Sequence, residues 1–315
     1  MKTILLVGKA HPRFRERLGT KFELLELPSA APADVTAEMA GKVEGVTTFN
    51  QMTPALMDAL PNLKIVANFG VGYDGVDAGY AAGKGIMVTN TPDVLNDEVA
   101  DTTIGLLLNT IRLLPQAENY LRAGKWVKEG PFRLSPLSLR GRHIGMYGMG
   151  RIGQQIARRL EAFNLRISYY TRSPRQDVSY GYCASLKELA ETVDTLICIV
   201  PKTPETHRTI NTEILKALGK NGVLINVGRG WTVSEDDLEK ALESGDIAGA
   251  GLDVFDDEPN VPEALMKFDN VSLLPHVASA SVVTRDLMAD LVVDNVISWF
   301  EEGKAITPVA EVTGR

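Results

Sequence analysis

The sequence predicts an α/β protein of two domains, each a parallel sheet covered by helices on both faces. Three observations carry this. The chain has 315 residues, and about 100–200 residues per domain makes two domains. Short apolar runs alternate with amphipathic stretches, the pattern of strands buried on both faces. One such run leads into Gly148-Met149-Gly150-Arg151-Ile152-Gly153 and then a helical stretch, the setting in which a glycine-rich turn binds phosphate.

The first domain begins with strands predicted at Ile4–Val7, Glu23–Leu27, Gly45–Thr48, Ile65–Asn68 and Ile86–Thr89. Helical patterns at Pro54–Ala59 and Ala78–Ala82 lie between them. The run at the N-terminus ends at Gly8-Lys9, too short for a signal peptide and suited to a first strand. A single long helix is expected from Asp97 to about Leu121, with Asn96 as its cap, acids in its first turn and Gly124 just past its end.

The second domain's strands are predicted at His143–Tyr147, Leu165–Tyr170, Thr195–Val200, Val223–Asn226, Ile247–Leu252 and Val271–Leu274. Ser185 with Glu188 makes a capping box, and Ser234 caps a helix over Glu235–Glu243. A last helix, about Thr284–Glu302, carries Leu287, Leu291, Val292, Val296 and Trp299 on one stripe. It is expected to return to the first domain and cover its open face.

Composition narrows the function. Hydrophobic residues make 44% and charged residues 23% of the chain, which excludes a disordered protein. A net charge of −7 argues against nucleic acid or an anionic membrane as partner. No run approaches the roughly 20 apolar residues of a membrane helix. Cys183 and Cys198 cannot frame a disulfide scaffold and suit the reducing cytoplasm. His11, His143 and His207 lack partners at metal spacing, so no metal is expected.

In the glycine-rich turn the first Gly permits the tight bend, the second admits a pyrophosphate and the third lets helix and strand pack. The helix N-terminus adds N–H donors and a positive dipole end. The acid that would hold a ribose 2′-hydroxyl is expected roughly 20 residues on. Thr171-Arg172-Ser173-Pro174-Arg175 stands there instead, with no carboxylate before Asp177. Guanidiniums and hydroxyls suit a 2′-phosphate, so NADP(H) is preferred and NAD(H) is possible. From Arg140 to Arg175, eight Arg face one Glu, and this segment's charge of +7 leaves −14 for the rest. A solvated helix face accounts for Arg158, Arg159 and Arg166.

Three loops follow predicted strands: Val227-Gly228-Arg229-Gly230, then Asp253 through Glu258-Pro259, then Pro275-His276 to Ser279. All lie at the strand ends where open α/β sheets bind ligands. An Arg to pair with a carboxylate, a His to move a proton and an acid to hold that His are the parts needed to reduce a 2-oxo acid.

These motifs, together with Asn68-Phe69-Gly70-Val71-Gly72-Tyr73-Asp74 and Asn90-Thr91-Pro92, resemble the D-isomer-specific 2-hydroxyacid dehydrogenases from end to end. Thr171-Arg172-Ser173 is most similar to the NADPH-preferring glyoxylate/hydroxypyruvate and hydroxyphenylpyruvate reductases. The resemblance implies two Rossmann-like domains. One is a flavodoxin-like substrate-binding lid over 1–95 and 284–315, the other a doubly wound NADP-binding domain over 96–283. The lid would close about hinges near Asn96 and Ser281. It further implies a cytoplasmic homodimer acting on a small 2-oxo or 2-hydroxy acid. His276 would protonate the carbonyl oxygen, Glu258 would orient His276, and Arg229 would hold the carboxylate with help from Val71 and Gly72. Asp253 would take the nicotinamide amide, and Val200, Pro201 and Val227 would line its ribose and ring, with Thr206 and Ser279 completing the cofactor set. An NAD-dependent dehydrogenase and a non-enzymatic dinucleotide-sensing corepressor are the alternatives.

Two positions depart from the family pattern. Trp231 stands where a small residue or Pro is usual, and is either a wall near the cleft mouth or packing on the sheet. Ser234 stands where Asp is common. Trp126 and Phe132, after the long helix, read either as a dimer arm or as surface packing.

Overall fold

The computed structural model describes residues 1–314 and holds two compact units, residues 1–95 with the segment from Ala280 on, and Asn96–Ser279. In the smaller unit the strands are β1 (Thr3–Val7), β2 (Glu23–Leu27), β3 (Val43–Thr48), β4 (Ile65–Asn68) and β5 (Met87–Thr89). All pair in parallel in the order β2-β1-β3-β4-β5, the flavodoxin-like order. Every residue of β1 is buried, as a central strand covered on both faces requires.

The helix Val282–Glu302 packs on β4, capped by Ser281, whose Oγ accepts from the Thr284 N–H at 3.1 Å. The expected stripe is only partly right. Val292 and Val296 are buried, but Leu287 is 47% exposed, and Met288, Ala289, Val293 and Asn295 complete the buried face. Asn295 can be buried there because its Oδ1 accepts from the N–H groups of Ile306 and Thr307, both at 2.9 Å. A buried polar residue with a structural task is invisible to an apolar-stripe reading.

In the larger unit the strands are β6 (His143–Tyr147), β7 (Arg166–Tyr170), β8 (Gly181–Tyr182), β9 (Thr195–Cys198), β10 (Val223–Asn226), β11 (Gly249–Leu252) and β12 (Val271–Leu273). All are parallel in the order β12-β11-β10-β9-β6-β7-β8. The chain runs outward through β7 and β8, then returns across β6 to β9. That reversal is the switch point where doubly wound sheets bind nucleotides.

Several expectations are corrected here. The long helix is two, Asn96–Arg112 and Leu114–Arg122, broken at Leu113 (φ 55°). Pro115 lacks an N–H and would clash with the preceding turn, so it opens a new helix instead. Ser185 Oγ accepts from the Glu188 N–H at 3.1 Å, whereas Glu188 reaches back to the Ala184 N–H at 2.7 Å, one residue beyond the Ser185 N–H of a true box. Ser234 occupies the cap position of Glu235–Ser244 without making a side-chain cap bond. The edge strand β8 and the short helix Ala37–Lys42 carry no periodic signal and were not expected.

Candidate active site

The loop after β6 is shaped by its glycines. Gly148 has φ +106°, and a Cβ there would come within 2.7 Å of the Ile199 carbonyl oxygen. A Cβ on Gly153 would lie 2.5 Å from the Gly148 oxygen. Both are therefore required by the protein's own packing. Gly150 is different, because an added Cβ meets nothing within 4 Å. It sits at the cap of the helix Arg151–Glu161, which has no side-chain cap. A helix start presenting backbone donors to open space fits a pyrophosphate.

The turn after β7 places Arg172 on the surface, and the Thr171 hydroxyl donates to the Ser173 carbonyl at 2.7 Å. Arg175 is held differently from the sequence reading. Its Nε and Nη2 donate to the two oxygens of Asp177 at 2.8 and 2.5 Å, and its backbone N–H donates to the Tyr169 hydroxyl at 2.8 Å. The basic segment is also more neutralised than its +7 suggests. Arg159, expected on a solvated face, pairs with Asp97 at 3.0 Å and Asp101 at 2.5 Å. Arg142 is buried with Asp194 at 3.0 Å.

Buried polar residues end two strands and build the loops beyond them. Asn226, fully buried, closes β10: its Nδ2 donates to the Arg229 carbonyl at 2.9 Å and its Oδ1 accepts from the Gly228 N–H at 3.1 Å. Gly230 follows because a Cβ there would fall 1.9 Å from the Phe255 backbone. Asp253, also buried, follows β11. Its Oδ1 and Oδ2 accept from the N–H groups of Val277 and Ala278 at 2.7 and 3.0 Å, and its carbonyl accepts from the His276 N–H at 2.8 Å. Burial raises the Asp253 carboxyl above its ordinary value, and those two N–H bonds oppose the rise. The His276 backbone is thereby held at φ +52°, a conformation a bulky residue adopts only when its surroundings impose it.

His276 Nδ1 lies 2.7 Å from Glu258 Oε2, with the His side chain 48% and the Glu side chain 33% exposed. Glu258 Oε1 accepts from the Phe255 N–H at 3.0 Å. Burial works to raise the Glu258 carboxyl, but the bonds from His276 and Phe255 and the charge of Arg229 outweigh it and hold it below the ordinary range. Arg229, Glu258 and His276 thus follow neighbouring strands β10, β11 and β12, at the sheet edge that also carries the glycine turn. One imidazole, one carboxylate and one guanidinium lie there.

That edge decides the family. The model of the D-isomer specific 2-hydroxyacid dehydrogenase NAD binding domain matches residues 104–278. The chain belongs to the D-isomer specific 2-hydroxyacid dehydrogenase family. As such it is an NAD(P)-dependent oxidoreductase acting on the CH–OH group of 2-hydroxy acids. It is 48% identical over 254 residues to glyoxylate/hydroxypyruvate reductase A of Arabidopsis thaliana, covering 81% of this chain and 80% of that one. It is 50% identical over 254 residues to hydroxyphenylpyruvate reductase of Plectranthus scutellarioides, with the same shares covered. Among solved structures it matches the NADPH-dependent glyoxylate/hydroxypyruvate reductase of Sinorhizobium meliloti in complex with NADP and malonate. That match has 61% identity and TM-score 0.97, covering 99% of this chain and 97% of that one.

In this dehydrogenase's larger unit Thr206 and Trp231 lie in short 3-10 turns, Pro204–Thr206 after β9 and Gly230–Thr232 after β10. Thr206 is engaged locally: its hydroxyl donates to the Pro201 carbonyl at 2.8 Å and accepts from the Thr203 N–H at 2.9 Å. Trp231 packs within its own unit. Its Nε1 donates to the Thr203 carbonyl at 2.9 Å, the His207 ring centroid is 3.9 Å away and Lys202 Nζ stands 4.5 Å over the indole. Phe132 packs on Tyr120 at 5.4 Å, while Trp126 is 60% exposed.

In the smaller unit, Val71 and Gly72 follow β4. Asn68 Nδ2 donates to the carbonyls of Gly70 and Gly72, at 3.2 and 3.0 Å, and Asn90 Nδ2 donates to the Val71 carbonyl at 2.9 Å. These bonds occupy the carbonyls of Gly70, Val71 and Gly72. Sequence reasoning noted Asn68, Asn90 and Asn226 only as motif letters. Their signal is a polar residue at or just past the end of an apolar strand. Among the described residues no three His, Cys, Asp or Glu side chains are grouped to hold a metal, and no helix is long and apolar enough to cross a membrane.

Proposed function

We propose that this dehydrogenase reduces small 2-oxo acids of the glyoxylate/hydroxypyruvate type to D-2-hydroxy acids with NADPH as preferred reductant, and that Arg229, Glu258 and His276 are its catalytic residues. The observation that carries the reading is the 2.7 Å pair of His276 and Glu258, one strand from Arg229 on the edge that holds the glycine turn. The dinucleotide, when bound, supplies a hydride to C2 of the substrate. With Nδ1 held by Glu258, His276 moves a proton to the substrate oxygen through Nε2. Glu258, anchored by the Phe255 N–H, fixes the ring. Arg229 pairs with the substrate carboxylate and polarises the ketone, aided by the N–H groups of Val71 and Gly72.

For the cofactor, Gly148–Gly153, including Met149, Arg151 and Ile152, would cradle the pyrophosphate. Thr171, Arg172 and Ser173 would take the 2′-phosphate, with Arg175 sharing its charge between that group and Asp177. Val200, Pro201, Thr206, Val227, Asp253 and Ser279 would surround the nicotinamide and its ribose. The smaller unit would be the substrate-binding domain and the larger one the NADP-binding domain. We further propose a cytoplasmic homodimer: Leu121, Trp126, Val127 and Leu134 are 54%, 60%, 95% and 93% exposed along one segment, apolar surface that a second copy would cover.

The test is oxidation of NADPH and NADH with glyoxylate, hydroxypyruvate, pyruvate and 4-hydroxyphenylpyruvate. Turnover with NADPH is expected, and His276→Ala should lower kcat by about 10²–10⁴, the usual worth of a positioned general acid. No turnover despite tight NADPH binding, or full activity in His276→Ala, refutes it. Light scattering on Val127→Asp checks the dimer.

A further inference from the structure

The peptide that joins Phe255 to Asp256 is where the loop after β10 meets the loop after β11. It lies against Gly230, the neighbour of Arg229: a Cβ on Gly230 would fall 1.9 Å from the Phe255 carbonyl carbon and 2.2 Å from the Asp256 nitrogen. The two successive N–H groups of this stretch go to two carboxylates. The Phe255 N–H donates to Glu258 Oε1 and the Asp256 N–H donates to Glu235 Oε1, each at 3.0 Å. Glu258 Oε2 in turn lies 2.7 Å from His276 Nδ1. Glu235 therefore anchors the residue next to the one that anchors Glu258. The chain leaves the core at this point. Phe255 is buried, whereas Asp257–Asn260 are exposed, so the turn that bears Glu258 depends on its upstream end for its place.

An acid at a helix start needs no such partner. Glu235, Asp236 and Asp237 form the first turn of the helix Glu235–Ser244, and an exposed acid there is attracted by the helix dipole without leaving water. Asp236 is exposed in this way, but Glu235 is half-buried. Burial raises the Glu235 carboxyl above its ordinary value; the charges of Asp256 and Asp236 add to the rise, and the Asp256 N–H and Arg208 oppose it. Burying a carboxylate is costly unless hydrogen bonds meet it, and the bond Glu235 accepts comes from the loop that carries Glu258, not from its own helix. We propose that Glu235 is a positioning residue of the site, acting through the Phe255–Asp256 peptide to keep Glu258 against His276. This rests on the reductase reading above.

The experiment measures kcat and KM with glyoxylate and NADPH, and amide exchange at Asp256, in three variants of the full chain. Glu235→Gln keeps the acceptor and loses the charge. Glu235→Asp keeps the charge at the helix start but is one methylene too short for the Asp256 N–H, and Glu235→Leu loses both. Glu235→Gln should hold kcat within about threefold of wild type. Glu235→Asp and Glu235→Leu should lower it at least about tenfold, because a displacement of about 1 Å costs up to about 10²-fold. Both should leave KM for NADPH unchanged and speed exchange at Asp256, and the exposed Asp236→Asn should alter nothing. Adding Glu235→Leu to Glu258→Gln should cost little beyond Glu258→Gln alone, as groups that act as a unit do. If Glu235→Leu fails to fold, Glu235→Asp carries the same comparison. An active Glu235→Asp beside a weakened Glu235→Gln would assign Glu235 to the helix dipole alone, and additive losses in the double variant would make its role general support; either overturns the inference while wild-type turnover leaves the reductase reading standing. Absence of wild-type turnover with glyoxylate and hydroxypyruvate overturns the reading itself, and the inference with it.

Discussion

Replacing Trp231 should loosen the Pro201–Arg208 loop without unfolding the unit that carries it. The indole makes three contacts with that loop: the 2.9 Å bond to the Thr203 carbonyl, the His207 ring at 3.9 Å and the Lys202 ammonium at 4.5 Å. Net values of about 1 kcal/mol for the hydrogen bond, about 1 for the ring pair and about 0.5–1 for the cation sum to roughly 3 kcal/mol. At 1.4 kcal/mol per tenfold, Trp231→Ala should raise the local opening equilibrium by on the order of 100-fold. Trp231→Phe keeps a ring and loses the donor, and should raise it by about fivefold. Amide exchange at Thr206 and His207, whose N–H groups bond to Thr203 and Pro204 within the loop, reads this directly. The loop carries Pro201 and Thr206 of the proposed cofactor set, so KM for NADPH should rise in the same order while the slope of denaturant unfolding stays fixed. Unchanged exchange in Trp231→Ala would mean that backbone bonds alone hold the loop, and the clamp would be wrong.

The glycine turn allows a paired prediction. Gly150→Ala should leave stability within about 0.5 kcal/mol but weaken NADPH binding at least tenfold, because its Cβ enters open space a ligand would need. Gly153→Ala should instead destabilise by about 1–3 kcal/mol, since its Cβ meets the Gly148 oxygen at 2.5 Å; calorimetry and titration separate the two, and equal behaviour would sink the assignment. Glu258 has a folded pKa below its unfolded one, so its contribution to stability is complete above the ordinary carboxylate range and is lost as pH falls through the folded value. The stability gap between wild type and Glu258→Gln should therefore narrow below about pH 4.3, and a gap constant in pH would refute the pairing. Both thiols are buried, and burial pushes Cys198 up to about 12 and raises Cys183. Neither should react with a disulfide reagent at neutral pH before unfolding, a point settled by counting thiolate released with and without guanidinium.

What was legible in the sequence follows from what each residue does alone. Strands β6 and β10 could be bounded because their apolar runs stop at a glycine turn or a polar end, and the Gly148–Gly153 spacing is a local steric demand. The boundary at Leu113 was missed because a long apolar helix signal hid one proline, although proline's missing N–H is as local a cue as any. The rest depends on pairs distant in sequence. Nothing near Asp253 says that both its oxygens will fix the chain around His276 by bonds to residues 24 and 25 positions on, whereas the bidentate pair of Arg175 with Asp177, two residues away, is local and was passed over for the phosphate reading. These buried carboxylates and amides explain why the site stays assembled on loops. Loop backbone removed from water must find partners, and here Asn226 and Asp253 provide them at the ends of neighbouring strands. The family motif therefore has two layers. Arg229, Glu258 and His276 carry the proposed chemistry, whereas Asn226 and Asp253 set the backbone angles from which those side chains project. An Asn226→Leu variant would leave the Gly228 N–H unsatisfied, at about 1–3 kcal/mol, while the Arg229 carbonyl would keep only its bond from the Thr232 N–H at 3.2 Å. It should cost more in kcat than Arg172→Ala, which removes an exposed charge from a turn that stays closed.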